Sequence, residues 1–261
     1  MVKRLSLLPL LMLSFVAVPA VAHADLSQDE MVKILAEIDA RQKATNDFKA
    51  HAFIDAQETG KEEIAYESVF YRRGGEKKFL ILFVGPKAEA GKGYLRIDDN
   101  LWMYAPSTGK WERRTERDRI AGTDSRRSDF DESRLAEEYT PAFEGEGSLG
   151  GKFKTWKIKL TAKPDKDVAW PVITLEVDQA SGNVLKRMEY ALSGKAMRRS
   201  LYPKWAKVKD PSGKEVWYPE EMYFYDEVEK GNQTTIKIDA VDLSDLPANT
   251  FTKAWLESKS R

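Results

Sequence analysis

The sequence predicts a mainly β protein with helices (α+β), an antiparallel barrel or half-barrel wrapped on an N-terminal helix. Three observations carry this. A 3.6-residue apolar stripe is confined to the first mature segment, and from Phe48 onward the apolar period changes to 2. About eleven short strand-like runs then follow at close spacing, separated by Gly, Asp, Asn and Pro turns. No linker, internal repeat or low-complexity tract interrupts them, so residues 25–261 read as a single domain. A meander of this length must close or be covered, because exposed strand edges aggregate.

The first 24 residues stand apart. Lys3 and Arg4 precede the apolar run Leu5–Val21, and Ala22-His23-Ala24 supplies small residues at the −3 and −1 positions of a cleavage site. The run is short for a bilayer span and is broken by Pro9, Ser14 and Pro19. This predicts a signal peptide, Met1–Ala24, cleaved after Ala24, and no Cys follows to make it a lipoprotein signal. Its removal takes Lys3, Arg4 and His23 but no acid, leaving a near-neutral exported chain with His51 as its one histidine.

Ser27 and Glu30 have the spacing of a capping box. Met31, Ile34, Leu35 and Ile38 follow at i, i+3, i+4 and i+7, with Lys33, Glu37, Asp39 and Arg41 on the other side. Ala50, Ala52 and Ile54 alternate with polar neighbours, as do Ile64, Tyr66, Ser68 and Phe70. Phe79–Val84 is a continuous apolar run, the pattern of a strand covered on both faces. Asp98-Asp99-Asn100 and Ser107-Thr108-Gly109 mark hairpin turns between Tyr94–Ile97, Leu101–Tyr104 and Lys110–Arg113. The polar stretch 116–146 breaks the meander. It is expected to hold a short helix within Asp131–Tyr139, with Leu135 inward, and a loose crossing at Gly145, Gly147, Gly150 and Gly151. Strands resume from Phe153 to Val241, with runs on either side of Pro219 and turns at 178–183 and 210–213. Leu246-Pro247 and Trp255-Leu256 belong to a terminal turn.

Composition removes many functions. With no Cys there is no disulfide, thiolate metal site or Cys nucleophile. Forty-two basic residues against 42 acidic ones argue against a nucleic-acid partner. One strand histidine, more often a structural residue than a base, and no Gly-x-Ser-x-Gly elbow leave nucleophilic catalysis little to stand on. Asp124, Asp129, Asp131 and Glu132 do not have EF-hand spacing and read as a solvated face, so neither a metal nor a cofactor is expected. The basic cluster Arg113, Arg114, Arg117, Arg119, Arg126 and Arg127 is interleaved with acids. It reads as a surface ion-pair network or as an anion-contacting loop at a cavity mouth. The aromatic surplus fills the barrel or lines an apolar cavity that side chains cannot fill.

Leu101-Trp102-Met103-Tyr104-Ala105-Pro106, Arg113-Arg114, Arg119-Ile120, Ser128-Asp129-Phe130 and the closing Leu246-Pro247, Phe251-Thr252 and Leu256 resemble the outer-membrane lipoprotein-sorting (LolA-like) family. The likeness covers nearly all of the mature chain. Arg127 stands where the family usually has Gly, and Asp131 where it often has Ser. The resemblance implies an unclosed antiparallel β-barrel with helices over its open side and an apolar cavity for acyl chains. It also implies a periplasmic, non-enzymatic carrier of a lipid or acylated lipoprotein, with an inner-membrane transporter or outer-membrane acceptor as partner. The alternative is a lipid-sensing or protein-interaction module without transfer. The expected cavity residues are Phe70, Phe79, Leu82, Leu95, Trp102, Tyr104, Ile173 and Tyr223. The expected mouth or lid comprises Arg113, Arg114, Arg119, Arg126, Arg127, Asp129 and Phe130, together with the glycine-rich crossing.

Overall fold

The computed structural model describes residues 25–43, 47–98, 100–115, 118–126, 129 and 133–260. The expected signal peptide, Arg117, Arg127 and Phe130 lie outside them.

The helix α1 spans Gln28–Lys43. Its expected capping box is present: the Ser27 hydroxyl and backbone N–H donate to Glu30 Oε2 at 2.7 and 2.8 Å, and the Glu30 N–H donates to Ser27 Oγ at 3.3 Å. Met31, Leu35 and Ile38 are buried against Ile158, Leu160, Ile173, Leu175 and Val177 of the sheet. The opposite side of α1 is not simply solvated. Asp39 is buried and accepts the backbone N–H groups of Leu135 and Ala136 at 3.0 and 2.9 Å, which caps the short helix α2, Leu135–Glu138. Leu135 points inward as expected.

Thirteen strands form one antiparallel sheet. They are β1 (Asp47–Gln57), β2 (Ile64–Arg73), β3 (Lys78–Gly85), β4 (Gly93–Ile97), β5 (Asn100–Ala105), β6 (Lys110–Arg114), β7 (Tyr139–Leu149), β8 (Phe153–Ala162), β9 (Val172–Asp178), β10 (Val184–Tyr190), β11 (Ala196–Lys209), β12 (Glu215–Asp226) and β13 (Gln233–Asp242). The spatial order, β6-β5-β4-β3-β2-β1-β13-β12-β11-β10-β9-β8-β7, is a meander interrupted once. The chain runs outward from β1 to the edge strand β6, crosses to the other edge at β7, and returns to pair β13 with β1. The seam between β6 and β7 is the opening of the barrel. This is the expected fold class, an unclosed antiparallel β-barrel with helices.

The thirteen strands exceed the expected eleven or so, and two regions also differ from expectation in where the strands run. The glycine-rich crossing is a strand: β7 pairs with β8 from Tyr139↔Ala162 to Leu149↔Phe153, so Gly145 and Gly147 are not in a mobile link. Gly145, at φ +115°, sits at a register shift that absorbs the extra residue, and only Gly150 and Gly151 make the turn. A Cβ on Gly147 would come within 2.7 Å of Lys157 Cε and 3.0 Å of Thr155 Oγ1, so glycine there serves close cross-strand packing. The two runs flanking Pro219 are one strand, β12, with Pro219 at an irregularity opposite Trp205.

The sheet buries apolar side chains on both faces of β3. Phe79, Ile81 and Phe83 point into the barrel, whereas Leu80 and Leu82 pack on the outside against Phe251 and Leu256. Leu256 belongs to the C-terminal helix α3, Lys253–Lys259, whose N-cap Thr252 accepts the Trp255 N–H. Strands β11 and β12 outrun their neighbours: 204–209 and 215–219 pair with each other as a two-stranded ribbon at one end of the barrel.

Candidate functional site

The two ends of the barrel are built differently. At the end formed by the finish of β1, β3 and β12 and the start of β2 and β13, residues 118–126 dip inward as a plug. Ile120 is 1% exposed and joins the inner core with Tyr66, Phe83, Tyr94 and Met103. The Tyr66 hydroxyl donates to the Ala121 carbonyl at 3.1 Å, and the Ala121 N–H donates to Tyr94 Oη at 2.9 Å. Arg119 binds Glu58 at 3.1 Å, Asp226 at 3.0 Å and Asp124 at 3.3 Å. The Asp124 N–H donates to Thr234 Oγ1 at 2.7 Å. Asp124 is buried, not on a solvated face, and burial raises its carboxyl pKa, opposed by the charge of Arg119.

The opposite end is hollow. A cavity of about 200 Å³ is walled by Phe70, Phe79, Ile81, Met222 and Phe224. Its rim includes Phe48 at the start of β1, Leu243 just after β13, and Val208 and Val216 of the ribbon. Among the described residues four charged ones line it: Arg41, Arg72, Arg187 and Asp129.

Between plug and cavity lies a buried ionic cluster that the sequence does not advertise. Asp129 accepts a fork of two hydrogen bonds from Arg198, at 2.7 and 2.6 Å. Arg198 also donates to the Asp124 carbonyl at 3.1 Å and approaches Glu189 at 3.4 Å, and Glu189 pairs with Arg187 at 2.8 Å. The Arg198 side chain is 3% exposed and its guanidinium lies over the Phe224 ring at 4.5 Å. Burial alone would lower its pKa, but the charges of Asp129 and Glu189 overcome this and hold it fully protonated. Arg126 stacks over Trp170 at 5.2 Å, and its pKa is lowered by burial first and by the neighbouring Arg198 charge second.

Of the expected cavity residues, Phe70 and Phe79 line the cavity. Leu82, Leu95 and Tyr104 lie on the other face of the sheet, under α3. Trp102 lies there too, with Lys253 Nζ over its ring at 3.8 Å. Tyr223 is out of phase with the inward Met222 and Phe224, and its hydroxyl donates to Glu221 at 3.2 Å. Ile173 is buried under α1, away from the lining. For Leu82, Leu95, Trp102, Tyr104 and Tyr223 the cause is strand parity, since one residue's error turns a side chain through the sheet; Ile173 faces the same way as the lining residue Leu175 but lies two residues before it in β9. Apolar residues occupy both parities in Phe79–Phe83, Leu101–Tyr104 and Met222–Tyr225, so alternation is silent there.

The expected mouth residues separate in the same way. Arg119, Arg126 and Asp129 are held inside by the plug and the buried cluster. Arg113 is exposed on β6, and Arg114 beside it binds Glu112 at 2.7 Å. Among the described residues no group of three or more His, Asp or Glu is arranged to hold a metal ion. His51 sits on the outer face, with its two ring nitrogens 2.7 Å from Asp239 and Glu67.

Solved structures share this fold. A domain from Vibrio parahaemolyticus described as an outer membrane lipoprotein-sorting protein domain is 17% identical, covering 88% of this chain and 100% of its own, with a TM-score of 0.75. A DUF1329 family protein from Desulfovibrio piger has the same identity and TM-score, with 88% of this chain and 98% of that one covered. A LolA superfamily protein from Nitrosomonas europaea is 21% identical over 85% of this chain and 97% of that one, with a TM-score of 0.68. At these identities the likeness establishes the fold, which is LolA-like. No curated protein matches. Residues 75–258 match a family model described as "Uncharacterized protein", and the chain belongs to that family.

Proposed function

We propose that the chain is a periplasmic, non-enzymatic carrier that holds the acyl chain of a lipid or acylated lipoprotein in the hollow end of the barrel. The observation that carries this reading is the contrast between the ends: one is plugged by chain, and the other keeps an apolar cavity. Each methylene moved from water into such a space gains about 0.8 kcal/mol, enough to hold a chain against solvent. The same unclosed fold in a lipoprotein-sorting domain supports the reading. Release requires a wall to move, and the edge strands β6 and β7, which do not pair with each other, are where the sheet can open. In this reading residues 1–24 are the removed export signal, and the partner is an inner-membrane transporter or an outer-membrane acceptor.

Native mass spectrometry of protein taken from the periplasm, followed by lipid extraction, tests it. A stoichiometric acylated species that passes to acceptor vesicles is the expected result. A clean apo mass with no uptake of a fluorescent fatty acid overturns it. Retention without transfer would favour a lipid-sensing or protein-interaction module of the same fold.

A further inference from the structure

One charged group at the cavity is not used up by the fold. Arg41, in the last turn of α1, is half-buried and lines the cavity. Its Nη1 donates to Asn183 Oδ1 at 2.8 Å. Asn183 is 3% exposed and fixed in the β9–β10 turn, where its carbonyl accepts the Asp178 N–H at 2.9 Å. The neighbouring Gly182 has φ +67°, and a Cβ there would lie 3.0 Å from Arg41 Nη2, so the turn is shaped to admit the guanidinium.

A guanidinium carries five N–H donors. Arg41 has one acceptor among the described residues, and it is a neutral amide. Several other arginines are matched by acids: Arg73 binds Asp47, Arg119 binds Glu58 and Asp226, Arg187 binds Glu189, and Arg198 binds Asp129. Among the described residues the single acid in the lining, Asp129, is already engaged by Arg198. Arg72 adds a second cation to the wall beside Phe48, its guanidinium carbon 5.6 Å from that ring. An apolar space with a positioned arginine and, among the described residues, no free carboxylate in its lining matches an amphiphile whose polar end is an anion.

We infer that the cavity selects amphiphiles with an anionic head, a carboxylate or a phosphate, held by Arg41 while the chain lies along Phe48, Phe70 and Phe79. This rests on the acyl-binding reading above and names the class of head group. Calorimetric titration of the mature protein with palmitate, 1-palmitoyl lysophosphatidic acid and neutral 1-monopalmitoylglycerol, each below its micelle concentration, tests it. Tighter binding of at least one acid, by about tenfold over the neutral lipid, is expected. Arg41→Gln should abolish that margin and leave the neutral lipid unchanged, whereas Arg41→Lys should keep part of it. Binding of the phosphate but not the carboxylate would identify a phospholipid source, and binding of the carboxylate alone a free fatty acid. Equal affinity for all three in the wild type, or equal weakening of all three by Arg41→Gln in a protein of unchanged melting temperature, overturns the inference and leaves acyl binding standing. No binding of any of the three removes both.

Discussion

The plugged and hollow ends of the barrel are lined by the same strands, yet they solve opposite problems. The plug brings buried backbone into an apolar interior, so each of its polar groups needs a partner: Tyr66 and Tyr94 serve Ala121, Thr234 serves Asp124, and Arg198 serves the Asp124 carbonyl. The hollow end has few polar obligations among the described residues, and its apolar side chains face a cavity. A gap in the sheet therefore does not dictate an empty barrel. Residues 118–126 fill one end, and a cavity remains at the other.

The largest effect should come from the cluster that joins the two ends. Arg198→Met removes the cation and strands Asp129 in a buried site, leaving Glu189 to Arg187 alone. A loss of about 3–5 kcal/mol is expected in urea unfolding. A loss under about 1 kcal/mol would mean that the cluster is hydrated and that plug and cavity are not joined through it. Ile120→Ala should cost about 2–5 kcal/mol, because the plug is packed on all sides and cannot collapse around the void. Its affinity for an acyl probe should stay as in the wild type, and an altered affinity would show that the ends communicate. Phe79→Ala at the hollow end is expected to cost less than the usual 3–5 kcal/mol or so for such a truncation, since one side of the ring already faces the cavity. It should instead shift the preferred chain length upward in a series of fatty acids of increasing length.

The smallest effect belongs to the girdle between the ends. Partial burial would lower the His51 pKa, but hydrogen bonds to Asp239 and Glu67, with their charges, raise it above the ordinary 6.5. A raised folded-state value means that His51 stabilises the fold fully below pH 6.5 and that this contribution fades as pH rises through the folded value. Unfolding followed from pH 6 to 9 should show a small decline that His51→Gln removes. Both carboxylates are half-exposed, so added salt should shrink it. A decline that persists in His51→Gln would assign it to another group.

Legibility followed how local each signal was. The capping box, the stripe of α1, the inward Leu135 of α2 and the doubly covered run Phe79–Val84 depend on spacing within a few residues, and the structure contains them, except that Val84 at the end of the run is exposed. Strand β7 was hidden because Gly145, Gly147 and a row of glutamates lack strand propensity; cross-strand pairing with β8 makes it a strand regardless. Phe70 and Phe79 were legible as cavity residues because the expected strand phase was right there. Leu82, Leu95, Trp102, Tyr104 and Tyr223 were not, because their strands are apolar on both faces. Arg41 and Asp39 looked like a solvated helix side, since nothing local reveals a turn arriving 142 residues later in the chain to meet Arg41.

The sequence alone determined a β meander led by an amphipathic helix, broken once and ending in a terminal turn that the structure shows to be a helix, because periods of 3.6 and 2 and the chemistry of turns and caps act over short range. The tertiary structure decided the rest: which face of each strand looks inward, that the break is a plug at one end, that Arg198 is buried among acids, and that Arg41 stands at the rim of a hollow. Those features arise where residues far apart in sequence meet, and burial and charge pairing there depend on neighbours that no local pattern encodes.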